Sequence, residues 1–314
     1  MNHDLRTMSN QQTTSTLLMI RPVNFGFNEQ TAGSNAFQNK NAEQQQVQDK
    51  ALKEFDGFIS VLRENGVEVI VIDDTVEPHK PDSIFPNNWI SFHGDGTVFL
   101  YPMMAENRRL ERREDIIRQL KDEFTVKHII DLSRFERDHK FLEGTGSMVF
   151  DREHKIAYAC LSPRTDKEVL EEFCHNSGYK PVVFHAVDEN GKDIYHTNVL
   201  MCVGNKFAVI CLDSIKDAKE REAVLRSFQS TQKKVVTISF DQMNHFAGNM
   251  LEVQSTAGEE LLVMSKSAWD SLSYEQKAIL SLFCKPVYAE IGTIEQNGGG
   301  SARCMMAEVH LPRA

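Results

Sequence analysis

The sequence predicts an α/β fold arranged as a closed ring of five similar units, each with a β-hairpin, a helix and one further strand. Hairpin-like segments begin near positions 89, 147, 199, 250 and 302, a repeat of roughly fifty residues that is typical of radial or stacked architectures. The same order of elements follows every start. A ring of such units leaves no free sheet edge, whereas an ordinary α/β sandwich of mixed strands is the alternative.

The first unit shows the pattern most clearly. Two short apolar runs between residues 89 and 102 flank Gly94-Asp95-Gly96, a turn sequence that favours a hairpin. A charged helix is predicted over residues 106–124 and a strand over residues 126–132. The unit is therefore of the ββαβ type.

The remaining units repeat this order. In the second unit the predicted hairpin is 147–151 with 155–161, the helix 166–176 and the closing strand 181–186. In the third the hairpin is 198–203 with 206–212, the helix 217–230 and the closing strand 234–238. In the fourth the hairpin is 249–254 with 260–265, helices lie near 267–283 and the closing strand is 286–291. The fifth unit is divided between the chain ends: 302–311 and 16–21 would form its hairpin, 41–65 its helix and 67–73 its closing strand. Residues 1–15 are predicted to be a disordered polar N-terminus and residues 16–314 a single domain, because no linker rich in Pro, Gly or Ser divides them.

Composition and charge exclude several classes of partner. The 314 residues carry a net charge of −10 without a basic stripe, so neither nucleic acid nor an anionic membrane is expected as a partner. No apolar stretch is long enough to span a bilayer. The six cysteines are not clustered as in a disulfide framework or a zinc knuckle, and the polar start lacks an apolar signal core. We therefore expect a cytoplasmic protein with reduced thiols.

The most distinctive segment is 297–304, Asn-Gly-Gly-Gly-Ser-Ala-Arg-Cys, which ends on Cys304. Chains keep consecutive glycines where the backbone must bend tightly or approach another group closely. The other five cysteines lie in apolar or amphipathic runs and are predicted core residues: Cys160, Cys174, Cys202, Cys211 and Cys284. Cys304 alone is therefore expected to be presented to a site. The alternative is a flexible glycine loop beside an incidental thiol.

Three further polar residues stand where units of the predicted ring begin. Glu143 opens the second unit, His196 opens the third, and Asp82 precedes the first. Loops at these positions would converge on one axis. A thiolate attacks electrophilic carbon, an imidazole transfers protons near neutral pH and a carboxylate orients both, so Cys304, His196 and Glu143 together predict nucleophilic catalysis. Taken singly, His196 could be a structural histidine and Glu143 a turn residue.

Five motifs, in order, resemble one superfamily. They are residues 81–89 (Pro-Asp-Ser-Ile-Phe-Pro-Asn-Asn-Trp), 142–144 (Leu-Glu-Gly), 160–165 (Cys-Leu-Ser-Pro-Arg-Thr), 196–198 (His-Thr-Asn) and the glycine run before Cys304. From about residue 16 onward the chain is similar to the pentein superfamily, the five-bladed α/β propeller of arginine deiminases, dimethylarginine dimethylaminohydrolases and amidinotransferases. The opening at 21–25 (Arg-Pro-Val-Asn-Phe) and the Phe-Pro-Asn-Asn-Trp run most resemble the citrulline utilization hydrolase, or citrulline ureidase, branch.

The resemblance implies roles for the catalytic candidates. Cys304 would be the nucleophile and His196 the general acid and base. Glu143 would bind and polarise the head group of the substrate and support the changes of charge. The propeller would form one catalytic domain whose fifth blade is closed by both termini.

The resemblance also implies substrate contacts. Asp82 would contact the amine side of an amino-acid substrate. Arg108 and Arg164 would clamp its α-carboxylate, a task suited to guanidinium geometry. For Arg108 the alternative is a solvated helix N-terminus, because charged residues surround it in the sequence.

Two asparagines depart from the pattern of arginine deiminases, which have aspartates in their place. Asn88 and Asn198 would suit a neutral ureido group, which needs both donors and acceptors, better than a cationic guanidinium. This favours citrulline over arginine. Succinylarginine dihydrolase, however, acts on a guanidine with an asparagine-containing site, so a guanidine substrate stays open.

The sequence thus predicts hydrolysis of L-citrulline to L-ornithine, carbon dioxide and ammonia through a covalent intermediate on Cys304. No metal or organic cofactor is expected, because a thiolate and fixed dipoles supply the catalysis. The expected partner is a small amino acid, and assembly into a homo-oligomer is left open. One alternative is a guanidine-modifying pentein (arginine deiminase, succinylarginine dihydrolase, dimethylarginine hydrolase or amidinotransferase), and another is a non-catalytic binding ring. Residues 25–37 are predicted to be either a mobile lid or a connecting loop.

Overall fold

The computed structural model describes residues 11–33, 35, 37, 38 and 44–314. Its strands form five sheets of three strands each. The strands are β1 (Thr16–Arg21), β2 (Glu68–Asp73), β3 (Ile90–Phe92), β4 (Thr97–Leu100), β5 (His128–Asp131), β6 (Val149–Asp151), β7 (Ile156–Cys160), β8 (Lys180–Phe184), β9 (Met201–Val203), β10 (Phe207–Ile210), β11 (Lys234–Thr237), β12 (Leu251–Gln254), β13 (Glu260–Ser265), β14 (Lys285–Ala289) and β15 (Ala307–Glu308).

All five sheets have the same internal order. In the sheet β3-β4-β5 the first pair is antiparallel and the second is parallel, and the sheets β6-β7-β8, β9-β10-β11 and β12-β13-β14 repeat this. The fifth sheet is β15-β1-β2, in which β1 pairs antiparallel with β15 and parallel with β2. Strands from opposite ends of the chain therefore share one sheet, and the predicted ββαβ order is found in each.

Helices connect the two parallel strands within each sheet, as a parallel pair requires a crossover, and further helices connect one sheet to the next. They are α1 (Glu29–Ala32), α2 (Gln44–Glu64), α3 (Glu106–Arg109), α4 (Glu114–Leu120), α5 (Gly144–Ser147), α6 (Lys167–Ser177), α7 (Thr197–Leu200), α8 (Ala218–Ser230), α9 (Phe240–Asn244), α10 (Lys266–Ser271), α11 (Tyr274–Leu280) and α12 (Gly292–Gly298). Short 3₁₀ helices lie at Pro86–Asn88, Ser133–Asp138, Leu212–Ser214 and Ala302–Met305. Among the described residues, no helix has the length and apolar character needed to cross a bilayer.

Local sequence explains where these elements begin and turn. Asp166 and Asp217 cap α6 and α8 by accepting hydrogen bonds from two backbone N–H groups each, which would otherwise lack partners. In the first hairpin Asp95 Oδ1 accepts from Thr97 N at 2.9 Å, and Gly96 adopts a positive φ of 89°. The aspartate and glycine therefore set the turn as the sequence predicted.

The structure corrects several of the predicted boundaries. The helix predicted over 106–124 is interrupted: α3 ends at Arg109, and α4 begins only after Arg113, whose backbone is extended. The boundary predicted at residue 16 lies too late: Gln12 is buried, and its side chain bonds the backbone of Phe150, Arg152 and Val203. Residues 1–10, the rest of the predicted disordered N-terminus, and 41–43 of the predicted helix lie outside the described residues.

The segments just before the first strands lie next to one another. The turn Pro86–Asn88 contacts both α5 and the turn Ala302–Met305, and α5 also contacts α7. Each of these four single turns immediately precedes the first strand of its sheet. Residues that are far apart in the chain are brought together here, and this cluster of turns forms the candidate site.

Candidate active site

A small cavity lies beside this cluster of turns, which consists of Pro86–Asn88, α5, α7 and Ala302–Met305. Its lining consists of Asn35, Asp82, Phe85, Asn88, Arg108, Arg164, Tyr195, His196, Gly298, Gly299, Gly300 and Cys304. Six of the eight residues predicted from the sequence are in this lining. The other two, Glu143 and Asn198, contact His196 and Cys304 respectively. The structure therefore brings all eight predicted residues into one site.

His196 and Glu143 form a buried pair. The His196 Nε2 atom lies 2.7 Å from Glu143 Oε2, and both side chains are almost fully buried. Burial lowers the pKa of His196 to about 4, although the carboxylate opposes this effect. At neutral pH the imidazole is therefore uncharged, donates from Nε2 to the carboxylate and keeps its lone pair on Nδ1.

Glu143 is held as an anion by its neighbours. Its carboxylate accepts a hydrogen bond from the backbone N–H of Met104 at 3.0 Å and lies 3.5 Å from Arg164 Nη1. Burial alone would raise the pKa of Glu143, but Arg164 and His196 outweigh burial and hold the pKa well below its usual range. A fixed negative charge beside an imidazole stabilises that imidazole whenever it takes up a proton.

Cys304 is more buried than the sequence predicted, since only 6% of it is exposed. Two amide N–H groups face its sulfur, which lies 3.4 Å from Asn198 Nδ2 and 3.3 Å from Asn249 Nδ2. Burial raises the pKa of four other thiols to about 11 or 12, and of a fifth still higher; these are Cys160, Cys174, Cys202, Cys211 and Cys284. Those five are protonated core residues, as predicted.

Asn249 is the main site residue that sequence reasoning missed. It stands two residues before β12, as Asn88 stands two residues before β3. The repeat itself was therefore the signal, because equivalent positions of successive units meet in the same place. Glu143, His196 and Cys304 stand at the openings of the second, third and fifth units, and Asn249 stands at the opening of the fourth.

The glycine run 298–300 is tightly packed, which contradicts its interpretation as a flexible loop. A Cβ atom at Gly298 would lie 2.7 Å from the Phe85 ring, and one at Gly299, where φ is +64°, would lie 2.5 Å from the Asn35 amide. A Cβ atom at Gly300 would lie 3.3 Å from Cys304 Cβ. Only residues without side chains fit here, so the run brings the backbone close to the cavity and to the thiol.

Arg108 is buried, which excludes the solvated helix end considered above. Its Nε and Nη2 atoms donate to the two oxygens of Glu111 at 2.8 and 2.9 Å, and Nη1 donates to Asn88 Oδ1 at 3.0 Å. Nη2 also lies 3.3 Å from the backbone oxygen of Phe85. These protein contacts engage the guanidinium and orient the Asn88 amide, so the structure offers a use for Arg108 other than the predicted carboxylate clamp.

Asp82 lines the cavity, and one of its two carboxylate oxygens lacks a hydrogen-bond partner among the described residues. Its Oδ2 atom accepts from Asn28 Nδ2 at 2.7 Å, whereas Oδ1 is buried without a hydrogen-bond partner in the described part of the chain. Burial raises the pKa of Asp82, and Arg108, with Nε 3.7 Å away, opposes the rise. An unpartnered carboxylate oxygen is a suitable acceptor for a substrate amine.

The segment predicted to be a lid or a connecting loop covers the cavity. The backbone oxygen of Thr31 accepts from Arg164 Nη2 at 3.3 Å, and Asn35 Nδ2 donates to the backbone oxygen of Gly298 at 3.2 Å. Phe37 packs against the Tyr195 ring. Positions 34 and 36 of this segment lie outside the described residues. These contacts join the segment to residues that line the cavity, and movement of the segment stays a prediction.

Buried neutral histidines predict a loss of stability in mild acid. Burial lowers the pKa of both His196 and His310 from 6.5 to about 4, so the unfolded chain binds more protons than the folded one between these values. Each of these histidines should therefore lower the free energy of unfolding by about 2 kcal/mol between pH 7 and 5. His93, whose pKa burial lowers as well, acts in the same direction, whereas Glu111, whose pKa burial raises to about 7, opposes them. Urea denaturation at the two pH values measures this. The His310→Gln variant should lose about 2 kcal/mol of this pH dependence and the exposed-site control His175→Gln none of it; an unchanged slope in His310→Gln would contradict the assignment.

Comparison with known proteins identifies the relatives of the chain. A sequence model of the family described as N,N dimethylarginine dimethylhydrolase, eukaryotic, matches residues 21–311. No curated protein sequence matches the chain.

Solved structures share the fold. The substrate-bound N-terminal domain of ArgZ, an arginine dihydrolase from the ornithine-ammonia cycle in cyanobacteria, has a TM-score of 0.75 at 18% identity, over 95% of this chain and 98% of that one. A ternary complex of AgrE with ornithine and NAD⁺ has a TM-score of 0.72 at 19% identity, over 95% of this chain and 40% of that one. A dimethylarginine dimethylaminohydrolase adduct with S-methyl-L-thiocitrulline has a TM-score of 0.64 at 12% identity, over 94% and 99%. At these identities the likeness shows the fold alone, and it confirms the predicted α/β class.

Proposed function

The chain belongs to the eukaryotic N,N dimethylarginine dimethylhydrolase family, and from this membership we propose the reaction of its site. The chain is a hydrolase of a C–N bond that uses a cysteine nucleophile. We propose that the nucleophile is Cys304 and the substrate L-citrulline, whose ureido group is hydrolysed to L-ornithine, carbon dioxide and ammonia.

The side-chain amides beside the thiol are the observation that supports a ureido substrate. The sulfur of Cys304 contacts Asn198 and Asn249 through their Nδ2 atoms. Asn198 thereby keeps Oδ1 for another donor, and this oxygen is buried without a hydrogen-bond partner in the part of the chain that the structure describes. A ureido group has N–H donors for such an acceptor and a carbonyl oxygen for an amide donor, whereas a guanidinium has donors only and favours anions.

Asn88 supplies the complementary donor. Arg108 can only donate, so the contact of 3.0 Å from its Nη1 atom requires Oδ1 of Asn88 on that side. The Nδ2 atom is thereby turned toward the backbone oxygen of Glu143, 3.5 Å away. This contact is long, so Nδ2 is available to a ureido oxygen in the cavity. Arg108 acts in this proposal by orienting Asn88, while Arg164 and Asp82 face the carboxylate and amine of the substrate.

The proposed mechanism has two halves. His196 takes up the proton of the Cys304 thiol as the sulfur attacks the ureido carbon. The imidazolium then gives this proton to the first amine as its C–N bond breaks, which leaves the carbonyl carbon bonded to sulfur. His196 then takes a proton from water as the water attacks the same carbon, the C–S bond breaks, and the sulfur leaves with the proton from His196. The carbamate released breaks down to the second amine and carbon dioxide. Glu143 stays ionised throughout and stabilises the imidazole while it is charged.

The fold proposed for this activity is a closed five-bladed propeller within one domain. The first strands of neighbouring sheets contact each other at β15 and β3, at β6 and β9, and at β9 and β12. Sheet β15-β1-β2 joins both ends of the chain. These contacts support a ring in which the preceding turns point to a common axis.

A guanidine substrate is the second candidate, favoured by a different observation. Glu143 and Asp82 place two buried carboxylates near the cavity, and Asp82 Oδ1 has no hydrogen-bond partner in the described residues. A guanidinium such as that of arginine or N,N-dimethylarginine could pair with them.

Direct assay separates the two candidates. The purified chain is incubated separately with L-citrulline, L-arginine and N,N-dimethylarginine, and ornithine, citrulline, ammonia and carbon dioxide are quantified. We expect equal amounts of ornithine, ammonia and carbon dioxide from citrulline, and carbon-13 in the ureido position should appear in the carbon dioxide. Formation of citrulline from arginine or dimethylarginine, with no ornithine from added citrulline, would overturn the proposal in favour of the guanidine candidate. Absence of turnover with all three would favour a non-catalytic binding protein.

A further inference from the structure

Asn249 occupies a position that the proposed mechanism does not use. It is buried, lies directly before β12 and contacts the sulfur of Cys304 at 3.3 Å through Nδ2. We propose that Asn249 is a positioning residue that holds the sulfur in place and favours the thiolate over the thiol. This inference rests on the nucleophilic role proposed for Cys304.

The orientation of the Asn249 amide is fixed by two backbone groups. Its Oδ1 atom accepts from the backbone N–H of Arg303 at 3.1 Å, and its Nδ2 atom donates to the backbone oxygen of Asn198 at 2.9 Å. A flipped amide would set donor against donor and acceptor against acceptor at these two contacts. The N–H on the sulfur is therefore held by the fold and is not free to turn away.

The same contacts set the position of the sulfur. Arg303 immediately precedes Cys304, so the bond to its N–H fixes the backbone that carries the thiol. Asn198, whose backbone oxygen is the second anchor, itself donates Nδ2 to the sulfur at 3.4 Å. The Asn249 amide is thus bonded both to the turn that carries Cys304 and to α7, which carries Asn198. The sulfur lies between the N–H donors of Asn198 and Asn249.

Two N–H donors stabilise a thiolate more than a thiol. Hydrogen bonds to an ionised acceptor are stronger than those to a neutral one, and burial increases the difference. The sulfur also lies 3.6 Å from Asn249 Oδ1, a contact that suits the thiol, but the nearer contact is the donor. Since the thiolate is the attacking form, the proposed effect of Asn249 is to increase the fraction of Cys304 that can react.

The test measures alkylation of Cys304 by iodoacetamide as a function of pH, by mass spectrometry of the peptide that contains it. In Asn249→Ala the rate at neutral pH should fall about tenfold, and the pH of half-maximal rate should rise by about one unit, as expected for loss of one hydrogen bond to an anion. In Asn249→Asp, which keeps the size and the acceptor for Arg303, the rise should be larger because a carboxylate replaces the donor.

Asn297→Ala is the matched control. Asn297 is also buried and lies beside the glycine run, but its Nδ2 atom donates to the backbone oxygen of Thr293 at 2.9 Å. Its alkylation profile should equal that of the wild type. A profile in both Asn249 variants that matches the control would overturn the proposal, and if Asn249→Ala does not fold, Asn249→Asp decides alone.

The alkylation needs no substrate, so it is independent of the substrate assay. Failure to release ornithine from citrulline would overturn the proposed reaction and leave the Asn249 test intact. A purely structural role would lower the thermal stability of the variants without moving the pH dependence of alkylation, and that result also counts against the proposal.

Discussion

Replacement of Cys304 by alanine is expected to lower kcat for the substrate by about 10⁴-fold or more. Alanine cannot form the bond to the ureido carbon, so acceleration would come from binding and fixed dipoles alone. The rate of ornithine release from citrulline measures this loss. In rapidly quenched wild-type protein, the peptide with Cys304 should also carry the mass of the carbonyl intermediate, and the variant should carry none.

Cys174→Ala is the control for this experiment. Cys174 is as buried as Cys304, with 7% against 6% exposed, but burial raises its pKa to about 12 and it lies on α6 outside the cavity lining. Its removal should leave turnover unchanged. If Cys304→Ala keeps turnover within tenfold of the control, the nucleophile lies elsewhere and the proposed mechanism is wrong.

Glu143→Gln is expected to lower kcat by about 10³- to 10⁴-fold with little change in size. The carboxylate accepts from His196 Nε2 at 2.7 Å, which selects the tautomer with its lone pair on Nδ1. The glutamine Oε1 atom can still accept from Met104 N, which turns the amide NH₂ toward the imidazole. His196 would then have to accept at Nε2 and carry its proton on Nδ1, and it would lose the anion that stabilises its charged form.

Glu252→Gln is the matched control for Glu143→Gln. Glu252 is also a buried glutamate, but it contacts the Cys284 sulfur at 2.9 Å and lies outside the cavity lining. We expect wild-type turnover from it. Steady-state kinetics with citrulline, together with thermal unfolding of both variants, separate a catalytic effect from a loss of stability. Glu143→Gln turnover within tenfold of Glu252→Gln would count against the assigned role of the carboxylate.

The repeated order of elements could be predicted from sequence because it depends on local patterns. Alternating apolar residues and turn sequences such as Gly94-Asp95-Gly96 identify strands and hairpins without knowledge of their neighbours. The strand starts were less accurate: predicted starts at 147, 198 and 249 correspond to observed starts at 149, 201 and 251. The residues in between form turns, and an apolar run by itself does not distinguish such a turn from the strand that follows it.

The sequence by itself determined which residue types stand at the unit openings, and it therefore identified Cys304, His196 and Glu143 as candidates. Tertiary structure alone decided which amides contact the thiol and how they are turned. Asn249 meets Cys304 across 55 residues of chain and Arg108 orients Asn88 across 20. The direction of a side-chain amide depends on donors and acceptors that distant segments bring to it, and such partners are not visible in a linear pattern.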